Sequence, residues 1–144
     1  MNPLEALNSF IPYLVAFVPM LGILILVHEL GHFLVAKYFG VRVLKFSIGF
    51  GSPIGVGRLR MRWTRNGTEY VVAWIPLGGY VKMLGEQLHD AGEDEPDVPD
   101  ARPDEYLNAK PVWQKLCITF AGPAMNLLLP VLIFMGVLPI AFVL

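Results

Sequence analysis

No charged residue lies between Ala6 and Val27, and none follows Lys115. A helix needs about 20 apolar residues to cross the hydrocarbon core of a bilayer. Both runs reach that length, and they limit the fold more than any other feature does. The chain reads as an α-helical integral membrane protein with two transmembrane helices, about 10–39 and about 113–144, on either side of a small intervening segment. Composition agrees, since 55% of the 144 residues are hydrophobic and only 16% are charged, against roughly a quarter charged in soluble domains. Pro12, Pro19, Pro123, Pro130 and Pro139 would break soluble helices but are tolerated where neighbouring groups satisfy the freed backbone. A cleaved signal peptide does not fit, because the early charge is Glu5 and the apolar run has no small-residue cleavage pattern. Cys117 is the single cysteine. It offers neither a disulfide framework nor a thiolate zinc site and reads as a small buried hydrophobe.

The net charge of -1 hides a strong asymmetry. Seven Lys or Arg residues and no acid lie from Phe33 to Thr68, whereas nine acids face only Arg102 from Glu86 to Glu105. A basic block directly after an apolar helix marks a cytoplasmic loop rather than a nucleic-acid surface. Lys37, Arg42, Lys45, Arg58, Arg60, Arg62 and Arg65 therefore predict that the 40–111 loop is cytoplasmic and the N-terminus outside.

Four segments follow: 1–39 with the first helix, 40–85 rich in glycine and strand signals, an acidic loop over 86–111, and the second helix over 112–144. Within the second, Asn66-Gly67 suits a type I′ hairpin turn. Pairing outward sets Trp63 opposite Tyr70, Met61 opposite Val72 and Leu59 opposite Trp74, giving one apolar aromatic face and one cationic face. Such a ribbon suits a membrane surface, with its arginines towards lipid phosphates; the plainer alternative is a small soluble sheet. Residues 46–57 (FSIGFGSPIGVG) read as a glycine-rich turn region without the ending of a phosphate loop. Pro76, Gly78 and Gly79 allow sharp turns and close backbone approach. The acidic, proline-containing stretch reads as a solvated, flexible loop, in which His89 and Asp90 are surface residues rather than metal ligands.

The chemistry sits in LVHELGHFLV, residues 26–35, where two imidazoles and a carboxylate interrupt an apolar helix. Ionisable groups inside a span are costly and are functional by default. His28 and His32, four residues apart, project from one helical face and are spaced to hold a zinc ion. An ion so held activates water, and Glu29, beside His28, is placed to take its proton and pass it to the leaving amine of a peptide. Histidines and a glutamate making structural bonds between helices are the bland alternative. The soluble enzymes with a third histidine six residues on are excluded, because that position is Tyr38. On the second helix, Asn126 lies roughly 16 Å from Lys115, and His28 roughly 13 Å from Lys37, at 1.5 Å per residue. The two polar features therefore approach one layer from antiparallel helices. Asn126, after Gly122-Pro123, serves either as an amide that holds substrate or orients the site, or as interhelical glue.

HELGH in a first span, FSIGFG, GTEYVVAWIPLGGYVKMLGE, and AGPAMN in the second span together resemble the site-2 protease family of intramembrane zinc metalloproteases, in particular its bacterial regulator-of-sigma-E branch. The resemblance implies that His28 and His32 ligate Zn2+, that Glu29 is the catalytic base, and that Gly122 and Asn126 match a GxxxN element near the site. It also implies a membrane-re-entrant β-hairpin within 46–85, a bacterial inner-membrane location, and a single-span membrane-protein substrate such as an anti-sigma factor. Family members take a third zinc ligand, an aspartate of an LDG motif, from a later helix that this sequence does not contain. The chain accordingly reads as the N-terminal half of a larger multi-span protease, inactive without the half that supplies that ligand. A non-enzymatic scaffold that keeps the fold and a histidine-pair metal carrier are the rival readings.

Overall fold

The computed structural model describes the backbone of residues 2–56, 60–86 and 98–143, and within these the side chains except for 3–7 and 137–143. The chain order is helix α1 (Pro3–Tyr38), strands β1 (Val43–Pro53), β2 (Arg62–Arg65) and β3 (Thr68–Met83), a 3-10 turn (Pro103–Glu105) and helix α2 (Val112–Val143). Two stretches are long and apolar enough to cross a membrane, Asn8–Tyr38 and Val112–Gly136. Helix α1 passes through Pro12 and Pro19 without ending. It stops at Gly40 (φ +69), where Val41 N–H donates to Ala36 O and Gly40 N–H to Lys37 O. This pair of bonds is the Schellman closure, which needs a left-handed residue. It also turns the chain so that Val41 and Ala36 bury together.

The three strands form one sheet in the order β1-β3-β2. Its hairpin has the expected register, with Trp63 opposite Tyr70 and Arg65 opposite Thr68, around Asn66 and Gly67 at positive φ. Leu59 lies outside the described residues. Trp63 stacks on Tyr70 with centroids 5.4 Å apart, while Arg62 on the other face reaches Glu69 at 3.0 Å.

Strand β3 meets β1 twice. Val43 to Ile48 pair with Met83 back to Gly79, while Lys45 to Ile48 also pair with Glu69 to Val72. One strand can flank another on both sides only if it folds over between the two contacts, and β3 does so near Ile75–Gly78. Residues 46–53, expected as a turn region, are strand instead. The glycines serve close approach rather than reversal: a Cβ on Gly49 (φ +89) would lie 2.7 Å from Ile75 O, and one on Gly78 would collide with the Phe50 ring.

The fold-over leans on α1. Pro76 O lies 3.7 Å from where a Cβ on Gly22 would stand, and Gly22 is fifteen residues before Lys37. At 1.5 Å per residue the sheet therefore climbs about 22 Å along the helix. Around it Phe50, Trp74, Ile75 and Leu77 remain exposed. The compact core sits lower, where Ala36, Val41, Val43, Phe46, Val81, Met83 and Ile118 pack together.

Two further expectations are corrected. Within the acidic segment, Glu105 O accepts from Arg42 N–H and Leu84 O from Leu107 N–H, and the Arg42 guanidinium meets Glu105 at 3.2 Å. The part beyond residue 98 is thus tied to the strand ends rather than freely solvated; His89 and Asp90 lie outside the described residues. Cys117 is exposed, not buried, because it stands on the outward face of α2, one residue before the buried Ile118.

Candidate metal centre

The two long helices touch where their side chains are smallest. A Cβ on Gly31 would collide with the Ala121 carbonyl oxygen and stand 2.8 Å from Met125 Cγ. Glycine at this point lets the backbones meet. The glycine of HELGH thus has a packing reason independent of its histidines, and sequence reasoning missed it.

That contact brings α2 onto the imidazoles. The His28 and His32 rings lie edge to face with centroids 4.8 Å apart. Their Nε2 atoms converge on one point: a Cβ on Gly122 would stand 2.7 Å from His28 Nε2 and closer still to His32 Nε2. The space in front of both nitrogens exists only because residue 122 has no side chain. His32 Nδ1 lies 2.7 Å from Ile118 O. A carbonyl can only accept, so Nδ1 carries the proton and Nε2 keeps its lone pair for a ligand. Pro123, one turn further on, has no N–H to give Thr119 and loosens the helix beside this carbonyl.

Asn126 meets His28, as the matched depths require, with its Nδ2 3.2 Å from His28 Nδ1. Its Oδ1 is buried with no partner. The oxygen and nitrogen of an amide exchange places by a half-turn. Turned over, Oδ1 accepts from His28 Nδ1–H, and His28 Nε2 gains the same free lone pair as His32. The donor set then fits a divalent ion with imidazole ligands, each oriented by a bond at its other nitrogen. Among the described residues no group of three or more His, Cys, Asp or Glu could hold a metal ion, so the fit covers two protein ligands.

Glu29 points to a neighbouring space. With His32 it lines a cavity of about 520 Å³ that is bounded by Gly79 to Met83 of β3 and by Lys115, Ile118 and Thr119 of α2. Its Cγ would be 3.1 Å from a Cβ on Gly79, so the glycine permits strand and helix to close on each other. Residues 79–83 pair with β1 on one side. Their opposite edge faces the cavity; at Met83 it is taken up by Glu86, whose Oε2 accepts from Met83 N–H and whose own N–H donates to Met83 O, while Gly79 to Val81 pair there with no strand among the described residues. The arrangement sets a carboxylate and a strand edge around a cavity that shares His32 with the two-imidazole site.

The comparisons with known proteins agree with this chemistry. The family model "Peptidase family M50" matches residues 16–142. The chain is 50% identical over 118 residues to the regulator of sigma-E protease RseP of Escherichia coli (strain K12), covering 82% of this chain and 24% of that protein. It is 49% identical over 121 residues to protease RseP of Yersinia pestis, covering 84% and 24%. It is 46% identical over 115 residues to a "Putative zinc metalloprotease" of Xylella fastidiosa (strain Temecula1 / ATCC 700964), covering 78% and 22%. The chain spans about a quarter of the length of these curated relatives. With a family match over most of its residues, the chain belongs to peptidase family M50, the site-2 protease family.

Proposed function

We propose that this chain is the N-terminal catalytic portion of an intramembrane zinc endopeptidase, with His28 and His32 as metal ligands and Glu29 as general base. The observation that carries the reading is the convergence of both Nε2 atoms on the space that Gly122 leaves open. When bound there, zinc would lower the pKa of water towards neutrality and polarise a carbonyl. Glu29 takes the proton from the attacking water and returns it to the leaving amine. Asn126 and the Ile118 carbonyl hold the imidazoles in register, and Gly122 keeps the space clear. A third protein ligand comes from outside the described residues, since catalytic zinc sites use three.

The substrate is a membrane-spanning segment. Peptide bonds in a helix are shielded by their own hydrogen bonds, so the segment must unwind before water reaches its carbonyl. The outer edge of Gly79 to Val81 would hold the extended form by strand addition. A relative's name, regulator of sigma-E protease, suggests an anti-sigma factor as one such substrate. Orientation follows the basic loop: N-terminus outside, 40–111 on the cytoplasmic side of a bacterial inner membrane.

The test is cleavage of a single-span substrate by the full-length protein in proteoliposomes. Glu29→Gln should lower turnover by about 10²–10⁴-fold, the range for losing a general base, while leaving metal content unchanged. Undiminished cleavage would favour the second reading, a scaffold that keeps the fold without turnover. The observation on that side is the lack of a three-ligand cluster among the described residues.

A further inference from the structure

At the C-terminal end of α1, away from the metal centre, lies a smaller cavity. It measures about 220 Å³ and is lined by Lys37, Gly40, Arg42, Asn66, Arg102 and Glu105, among others. Three separate parts of the chain build it: the closure of α1, the hairpin turn, and the 3-10 turn before α2. Gly40 leaves its floor open, and Lys110 Nζ lies 3.8 Å from where a Cβ on Gly40 would stand.

Three cations, Lys37, Arg42 and Arg102, thus line one small space, and Lys110 stands close by at Gly40. Against them stand Glu105, which meets Arg42 Nε at 3.2 Å and Arg102 Nε at 3.3 Å, and the largely exposed Asp104, 3.7 Å from Arg102 Nε. The carboxylates hold the two guanidiniums in place but do not match the lysines. Among the described residues no carboxylate comes within 4 Å of the Lys37 ammonium, which sits 5.8 Å from the Phe33 ring centroid. Positive charge therefore exceeds negative in a concave site with several unused N–H donors.

Its position bears on the kind of anion it would take. Lys37 stands in the last turn of α1, at the end of the apolar stretch Asn8–Tyr38. Hydrocarbon gives way to headgroups at that level, and basic side chains there meet lipid phosphates. Arginine forks match phosphate oxygens in pairs, and lysines add point charge. We infer that this cavity binds the phosphate of an anionic phospholipid headgroup, from the leaflet at the Lys37 end of α1. The lipid bridges the end of α1, the hairpin turn and the 98–111 segment, clamping the sheet to the helix that carries the histidines.

Native mass spectrometry of the full-length protein, released from nanodiscs of phosphatidylcholine with or without phosphatidylglycerol, tests this. The wild type should retain phosphatidylglycerol over phosphatidylcholine by about tenfold or more, as two lysines near an anionic group would give. Lys37→Gln with Lys110→Gln should abolish the preference, whereas Lys37→Arg with Lys110→Arg should keep it. Arg60→Gln with Arg65→Gln, which removes exposed charge outside the cavity, should also keep it. Equal retention of the two lipids by the wild type, or equal loss in the hairpin variant, would overturn the proposal. Displacement of bound phosphatidylglycerol by millimolar inorganic phosphate would reassign the cavity to a soluble anion and overturn the lipid.

Discussion

A single added methyl group at Gly122 would stand 2.7 Å from His28 Nε2 and closer to His32 Nε2, so Gly122→Ala separates folding from metal binding. The expected result is a helix content unchanged by circular dichroism and zinc lowered at least about tenfold by elemental analysis, the scale on which disturbed ligand orientation acts. Asn126→Ala removes the amide beside His28 Nδ1 and should weaken zinc by about 10–100-fold in competition with a chelator; unchanged affinity would make Asn126 a packing residue. Much at this scale was legible in the sequence. Four-residue spacing places two histidines on one helical face whatever surrounds them, and the fixed helical rise brought Asn126 to the depth of His28. Gly31 was not legible, because its reason is the Ala121 carbonyl, which arrives from a distant part of the chain. The Ile118 carbonyl that orients His32 was hidden for the same reason, since a backbone group leaves no mark in the sequence.

At the scale of elements, the hairpin was readable and the course of β1 was not. Asn66-Gly67 has few conformations that suit a tight reversal, so turn and register followed together. Glycines at 49, 51, 78 and 79 have two uses, turning and close approach, and only packing against β3 and α1 decides between them. The acidic segment misled through composition. Its anchors, Arg42 and Leu84, lie one residue outside β1 and β3, and local charge cannot report them. The join between hairpin and β1 rests on Thr68, fully buried, whose Oγ1 donates to Val43 O at 2.8 Å. Thr68→Val keeps the shape and leaves that carbonyl without its side-chain donor. It should cost about 1–3 kcal/mol, read as a lower unfolding midpoint in detergent, and an unchanged midpoint would remove this bond from the account.

At the scale of the whole molecule, the proposed membrane setting would make the bilayer the solvent of the exposed surface. Phe17, Leu24, Leu127, Phe134 and Met135 face outward along the helices, a pattern that would aggregate in water. The sheet follows α1 to the level of Gly22 and keeps Trp74, Ile75 and Leu77 exposed there. Strand edges do not face lipid unsatisfied, so at the proposed membrane depth the sheet would be sheltered by protein on one side, with its remaining edge towards the cavity beside Glu29. With Trp63 and Trp113 changed to Phe, brominated acyl chains should quench Trp74 fluorescence strongly; the absence of quenching would put the sheet outside the hydrocarbon. What remains central is the zinc ion proposed between the imidazoles, and zinc absorption spectroscopy with metal analysis on the purified full-length protein tests it most directly. The account predicts one zinc per chain with imidazole nitrogens at about 2.0 Å, lost when His28 and His32 are both replaced by alanine. Zinc well below one per chain, or a spectrum that survives the loss of both histidines, would contradict it.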